Sequence, residues 1–214
     1  MHRFLIWYCI LSPIVFALVI AVLGFITPGY DPVYRTISEL VLGRYGWIQQ
    51  ANFIQFTICL IVLSHTFPKY LMHEQTRKVW TNVFRFCALM LAVVTLFPTP
   101  PLESLRAPIS SVSPEGIAHW FALAVFFVAS PVGIWLMSHS IATEPQFRHL
   151  ARITSLCGYT CCILTALWLI LFYGRFEFSY FGLLQKVDGV VCVCCFESFT
   201  LSVFRAHNMN KIVS

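Results

Sequence analysis

Six long apolar runs leave this chain little else to build with. Each measures about 17 to 25 residues, and at ~1.5 Å per residue of helix each can cross a hydrocarbon core roughly 30 Å thick. They fall at about residues 4–27, 47–67, 81–98, 116–138, 153–173 and 184–204. The fold class expected is therefore all-α: a polytopic membrane protein, a bundle of six transmembrane helices, with residues 1–214 as a single integral membrane domain. Composition agrees, since 58% of the residues are hydrophobic and 11% charged, against about 25% charged in a globular protein. A water-soluble globular protein is excluded. The first run follows His2 and Arg3 as a signal peptide would, but it is too long and has no small-x-small cleavage site, so it is expected to remain as the first span.

An even number of spans puts both termini on one side. Nine Lys and Arg fall on that side (Arg3, Lys69, Arg77, Lys78, Arg85, Arg148, Arg152, Arg205, Lys211) and five on the other (Arg35, Arg44, Arg106, Arg175, Lys186). The positive-inside rule then predicts cytoplasmic termini and an external 28–46 loop, in a cell membrane, the inner one if the source is bacterial. Acidic residues lean the opposite way, with Glu177 among those outside. The net charge of +5 reads as a topology signal, and no nucleic-acid partner is expected.

Between the first two runs, Pro28-Gly29-Tyr30-Asp31-Pro32-Val33-Tyr34-Arg35-Thr36-Ile37-Ser38-Glu39-Leu40 concentrates charge and hydroxyls. Asp31 before Pro32 reads as a helix cap followed by a first-turn proline, and Gly43 as a stop, predicting a short helix over about 32–42 in the first external loop. On it Arg35 can reach Ser38 and Glu39. The same spacing also suits a local salt bridge that only fixes the loop.

Asn52 and Gln55 in the second span should face the bundle interior, either as glue between helices or as ligand contacts. Ser113-Pro114-Glu115-Gly116 repeats the cap-and-proline signal and fixes the start of the fourth span. His119 follows one turn in, with Glu115 four residues before it and placed to orient the imidazole. Asp188 is expected at the same depth. Glu197 lies deeper in the sixth span, where a bare carboxylate is costly, and Arg85 is its expected partner. The nine cysteines all fall inside spans. With no His beside them and helical spacing spreading them around each axis, they read as apolar packing; no metal and no cofactor are expected.

The motif Pro28-Gly29-Tyr30-Asp31-Pro32, continued by Ile37-Ser38-Glu39-Leu40, Gly43 and Gly46-Trp47, resembles an uncharacterised membrane family, domain of unknown function 998. Phe97-Pro98 and the stretch from Gly116 to His119 are also similar to that family, and the resemblance covers nearly the whole chain. It departs at Thr99, where the family is expected to carry an acidic residue, so a role resting on a carboxylate there does not transfer. The resemblance implies a six-helix bundle and no settled activity. More distantly, the arrangement is similar to the Frag, DRAM and Sfk group, some of whose members are linked to lipid remodelling; that likeness is at the level of fold.

The reading that follows is a membrane protein that binds or handles a lipid or small amphiphile in an outward-facing polar pocket, with membrane lipids as its surroundings. Arg35 would hold an anionic head group, with Asn52, Gln55 and Asp188 as further ligand contacts. Were there a reaction, His119 would carry the proton, Asp31 or Glu39 would orient it or act as base, and Ser38 would be the candidate nucleophile. No Gly-x-Ser-x-Gly elbow accompanies these residues, so catalysis stays open beside binding. The alternatives are a small transporter and an accessory subunit without chemistry.

Overall fold

A computed structural model of the chain describes residues 3–106, 108–174 and 180–213. Arg175 and Glu177 lie outside the described residues. Six helices form: α1 (Arg3–Ile26), α2 (Gly46–Thr66), α3 (Glu74–Leu96), α4 (Pro114–Ile141), α5 (Ala151–Tyr173) and α6 (Phe181–Val213). Each packs on the next, and α6 closes the ring against α1. Five of the described helices, α1 to α5, are long and apolar enough to cross a membrane. The sixth carries Lys186, Asp188 and Glu197 within its apolar run. Phe25, Phe121 and Ile163, at 85%, 68% and 69% exposed, face outward, a surface that suits lipid and not water. Among the described residues there is no strand.

Helix ends follow local chemistry. Ser113 Oγ accepts from Gly116 N–H at 3.1 Å with Pro114 next to it, as the cap reading requires. The third helix begins at Glu74, seven residues before the apolar run, because its first two turns (Glu74, Arg77, Lys78) are polar yet good helix formers. Pro13 and Pro131 sit inside α1 and α4. Proline has no N–H for the carbonyl four residues back; at Pro131 that carbonyl is Phe127 O, which accepts instead from Thr165 Oγ1 of α5 at 3.1 Å.

The expected short helix over 32–42 is corrected. Asp31 Oδ1 accepts from Val33 N–H (2.8 Å) and Tyr34 N–H (3.4 Å), and a single turn closes with Arg35 N–H to Asp31 O. The chain then breaks at Thr36 and resumes as a 3-10 helix, Ser38–Leu42. Side-chain bonds to Thr36, described next, compete with a continuous helix.

Buried aromatics fill both ends of the ring. Phe67, Trp80 and Phe199 stack and cross at 4.2 and 4.5 Å at the end bearing the termini; Phe127, Trp168 and Phe172 stack at the other, the loop end.

Candidate functional site

The first connection is folded down onto the loop end, and Glu39 is the knot that holds it. Its carboxylate is 3% exposed by residue. Oε2 accepts from Thr36 N–H (2.8 Å) and Thr36 Oγ1 (3.0 Å), while Oε1 accepts from Leu102 N–H (2.9 Å) and Arg35 Nη1 (3.1 Å). Thr36 and Glu39 stand three apart, the capping-box spacing, and the Glu-to-backbone half of that box is made. Arg35 Nη2 reaches outward to the exposed Glu103 at 2.9 Å. Ser38 Oγ lies 3.3 Å from Thr36 Oγ1 and 3.2 Å from Thr99 Oγ1, a chain of hydroxyls joining the first connection to the third.

The sixth helix receives this roof. Ile37 N–H donates to Gln185 Oε1 (2.8 Å), Leu183 N–H to Val33 O (2.8 Å), and Lys186 Nζ to Arg35 O (2.8 Å). A Cβ on Gly182 would stand 2.0 Å from Arg35 O, so only glycine lets the two backbones meet. Tyr30 OH donates to Thr36 O at 2.9 Å, and burial, reinforced by the Glu39 charge and opposed by Arg35, raises the phenol above its usual pKa.

The sequence-derived candidates occupy four places. Asp31, Arg35, Ser38 and Glu39 share the roof. Asn52 and Gln55 join α2 to α1 beside Pro13: Asn52 Nδ2 donates to Phe16 O (3.1 Å), and Gln55 exchanges bonds with Ser12, accepting from its Oγ at 2.6 Å. His119 is 2% exposed, with Nδ1 2.9 Å from Phe97 O at the end of α3; Nε2 is buried without a hydrogen-bond partner among the described residues. Glu115 is exposed, so the carbonyl of Phe97 orients the ring in place of that carboxylate. Asp188 faces α5, where Oδ2, 3.0 Å from Thr165 Oγ1, shares that hydroxyl's single proton with Phe127 O. Ser38 bonds hydroxyls and His119 a carbonyl; no hydrogen bond joins the two.

Two adjoining apolar spaces lie beneath the roof. An inner cavity of about 70 Å³ is lined by Ile37, Phe53, Phe126, Phe127 and Cys192. A groove of about 410 Å³ opens sideways between α1 and α6, with Ala17, Ala21 and Gly24 on one wall, Val190 on the other, and Pro32 and Val33 above. Phe16, Ile37, Gly189 and Val193 line both. Among the described residues, Lys186 is the groove's one charged lining residue.

The family described as "Protein of unknown function (DUF998)" matches residues 10–196, from inside α1 to about the middle of α6, with roof, groove and every candidate residue included. The chain belongs to the DUF998 family. No curated protein matches it and no solved structure does.

Two features of this DUF998 chain escaped sequence reasoning. The expected Arg85–Glu197 pair does not form: Arg85 Nη2 lies 3.3 Å from His65 Nε2, and Glu197 Oε2 is buried without a hydrogen-bond partner among the described residues. Arg85 on α3 thus faces its neighbour α2, while Glu197 on α6 lies near Cys9 of α1 and Cys59 of α2. Four of the six cysteines of α5 and α6 likewise gather on one seam, with Cys162 and Cys194 outside it. Cys157 and Cys161, four apart, and Cys192 and Cys195, three apart, face each other across the α5–α6 seam, with Cys161 Sγ and Cys192 Sγ at 3.5 Å. The signal was available as the spacing of two same-face pairs.

Proposed function

We propose that this DUF998 protein binds a membrane lipid or a small amphiphile of similar shape, taking an acyl chain into the groove between α1 and α6 with the anionic head group beneath Arg35. The observation that carries this reading is the groove itself: apolar on both walls, open between α1 and α6, and meeting the inner cavity at Ile37 and Gly189. Small side chains on α1 make room for the chain. Arg35 can serve the head group because its two partners differ. Its bond to buried Glu39 fixes the guanidinium, whereas the exposed bond to Glu103 is a surface pair worth about 0–1 kcal/mol and can exchange for phosphate or carboxylate. Binding, rather than a polar reaction centre, uses the pieces as they lie.

Photocrosslinking with a diazirine-bearing phospholipid tests it. Ala21→Trp, which fills the groove, should cut labelling about tenfold, the equivalent of 1.4 kcal/mol, while Ile163→Trp on the lipid-exposed face of α5 leaves it unchanged. Equal labelling in both variants would refute groove binding.

On the same reading the roofed end faces away from the cytoplasm, as the Lys and Arg balance favours. A single cysteine replacing exposed Glu103 in a cysteine-free version should react with an impermeant maleimide from outside intact cells; reaction from the cytoplasmic side alone would reverse the orientation.

A further inference from the structure

The α5–α6 seam holds a group of side chains that neither the roof nor the groove explains. Cys161, Asp188 and Cys192 bring two sulfurs and a carboxylate oxygen within 4.8 Å of one another. Cys161 is fully buried and Asp188 is 1% exposed. Thr165 holds Asp188 Oδ2, but Oδ1 is buried without a hydrogen-bond partner among the described residues. Asp188 stands seven residues into α6 and Cys192 eleven, so at ~1.5 Å per residue the group lies roughly 10 to 16 Å from the loop end, near the middle of a core about 30 Å thick. Buried carboxylates at such depth are costly unless something answers their charge. None of the described ion pairs includes Asp188.

From this geometry we infer that Cys161, Cys192 and Asp188 form a binding site for one Zn²⁺ ion. Two sulfurs about 2.3 Å from a tetrahedral centre stand about 3.8 Å apart, close to the observed 3.5 Å, and a carboxylate oxygen completes three of four positions. A Zn²⁺ ion takes the unpartnered carboxylate oxygen as a ligand, which a disulfide between the two cysteines would leave without a partner; with two thiolates and one carboxylate the site keeps a net charge of −1. On binding, the two thiols release two protons, giving Zn²⁺ with two thiolates and one carboxylate. Thr165, through Oδ2, sets the carboxylate's orientation and acts as a positioning residue. Cys192 also lines the inner cavity.

The test uses the full chain purified in detergent under reducing conditions, titrated with Co²⁺ as the spectroscopic probe and competed with Zn²⁺. The expected result is about one Co²⁺ per chain with a thiolate-to-cobalt charge-transfer band that Zn²⁺ abolishes. Cys161→Ser, Cys192→Ser and Asp188→Asn should each lose the band, Thr165→Val should weaken binding by roughly ten- to a hundredfold, and Cys194→Ser, at an exposed position on α6, should bind normally. X-ray absorption of the wild-type Zn²⁺ form guards against variants that fail to fold: two sulfurs and at least one oxygen support the site. Three or more sulfurs, no band in the wild type, or a band that survives Cys161→Ser but is lost on replacing Cys157 and Cys195, would overturn it.

Discussion

Glu39→Ala should lower the melting temperature of the detergent-solubilised protein by roughly 6–12 °C, the equivalent of about 3 kcal/mol in a chain of this size. Its carboxylate takes four hydrogen bonds from three residues, two of them buried backbone donors in different connections. Alanine orphans the Thr36 and Leu102 amides, each at about 1–3 kcal/mol, and leaves half of the Arg35 guanidinium without its partner. Alanine at Glu103 removes the outer half of the same pair, which is largely solvated, and should shift the transition by no more than a degree or two for each ~0.5 kcal/mol lost. Thermal melts of the two variants side by side decide it: equal small shifts would mean that Glu39 does not hold the roof.

Glu144→Gln should be the second large loss, at the opposite end of the bundle. Glu144 follows α4, is fully buried, and accepts from Met72 N–H (2.8 Å), His73 N–H (2.9 Å) and, at 3.2 Å, His73 Nδ1 just before α3 begins. It thus ties the α4–α5 connection to the α2–α3 connection, as Glu39 ties the first to the third. An amide offers one acceptor where the carboxylate offers two, so one of these donors loses its bond at about 1.5–3 kcal/mol. Burial raises the Glu144 pKa, but the hydrogen bonds from Met72 and His73 outweigh it and hold the group below its ordinary value. A depressed folded-state pKa contributes stability that is complete above the unfolded value, about 4.3, and lost as pH falls through the folded one. Wild-type melts should therefore drop steeply on acidification below about pH 4.3, and the Gln variant should start lower and lose less over that interval. Parallel curves for the two proteins would sink this assignment.

The helices were legible because hydropathy alone sets their number and place: the expected 4–27, 47–67 and 153–173 differ from α1, α2 and α5 by no more than two residues at either end. Ser113-Pro114 was equally readable, since a cap and a first-turn proline act on their own neighbours. The first connection was read only in part. Arg35 and Glu39 do pair, but Leu102, Gln185 and Lys186, which turn that pair into a roof, come from segments some 60 to 150 residues away. Sequence spacing carries no information about such meetings. Asn52 and Gln55 were placed inward, as the cost of polar groups in lipid demands; their partners, the Ser12 and Phe16 carbonyls, depend on how α1 lies against α2. Shared depth brought His119 and Asp188 to mind together, yet they stand on α4 and α6 facing different neighbours, Phe97 and Thr165. Depth along a helix fixes one coordinate, and the direction a side chain faces needs the packing.

Electron cryomicroscopy of the protein in nanodiscs of native phospholipid tests the lipid reading most directly. The account predicts an elongated acyl-chain density between α1 and α6, running past Ala21 and Val190 under Pro32 and Val33, with its polar end within reach of Arg35. Helices α1 and α6 closed against each other, or lipid density spread evenly around the perimeter with none in the groove, would contradict it.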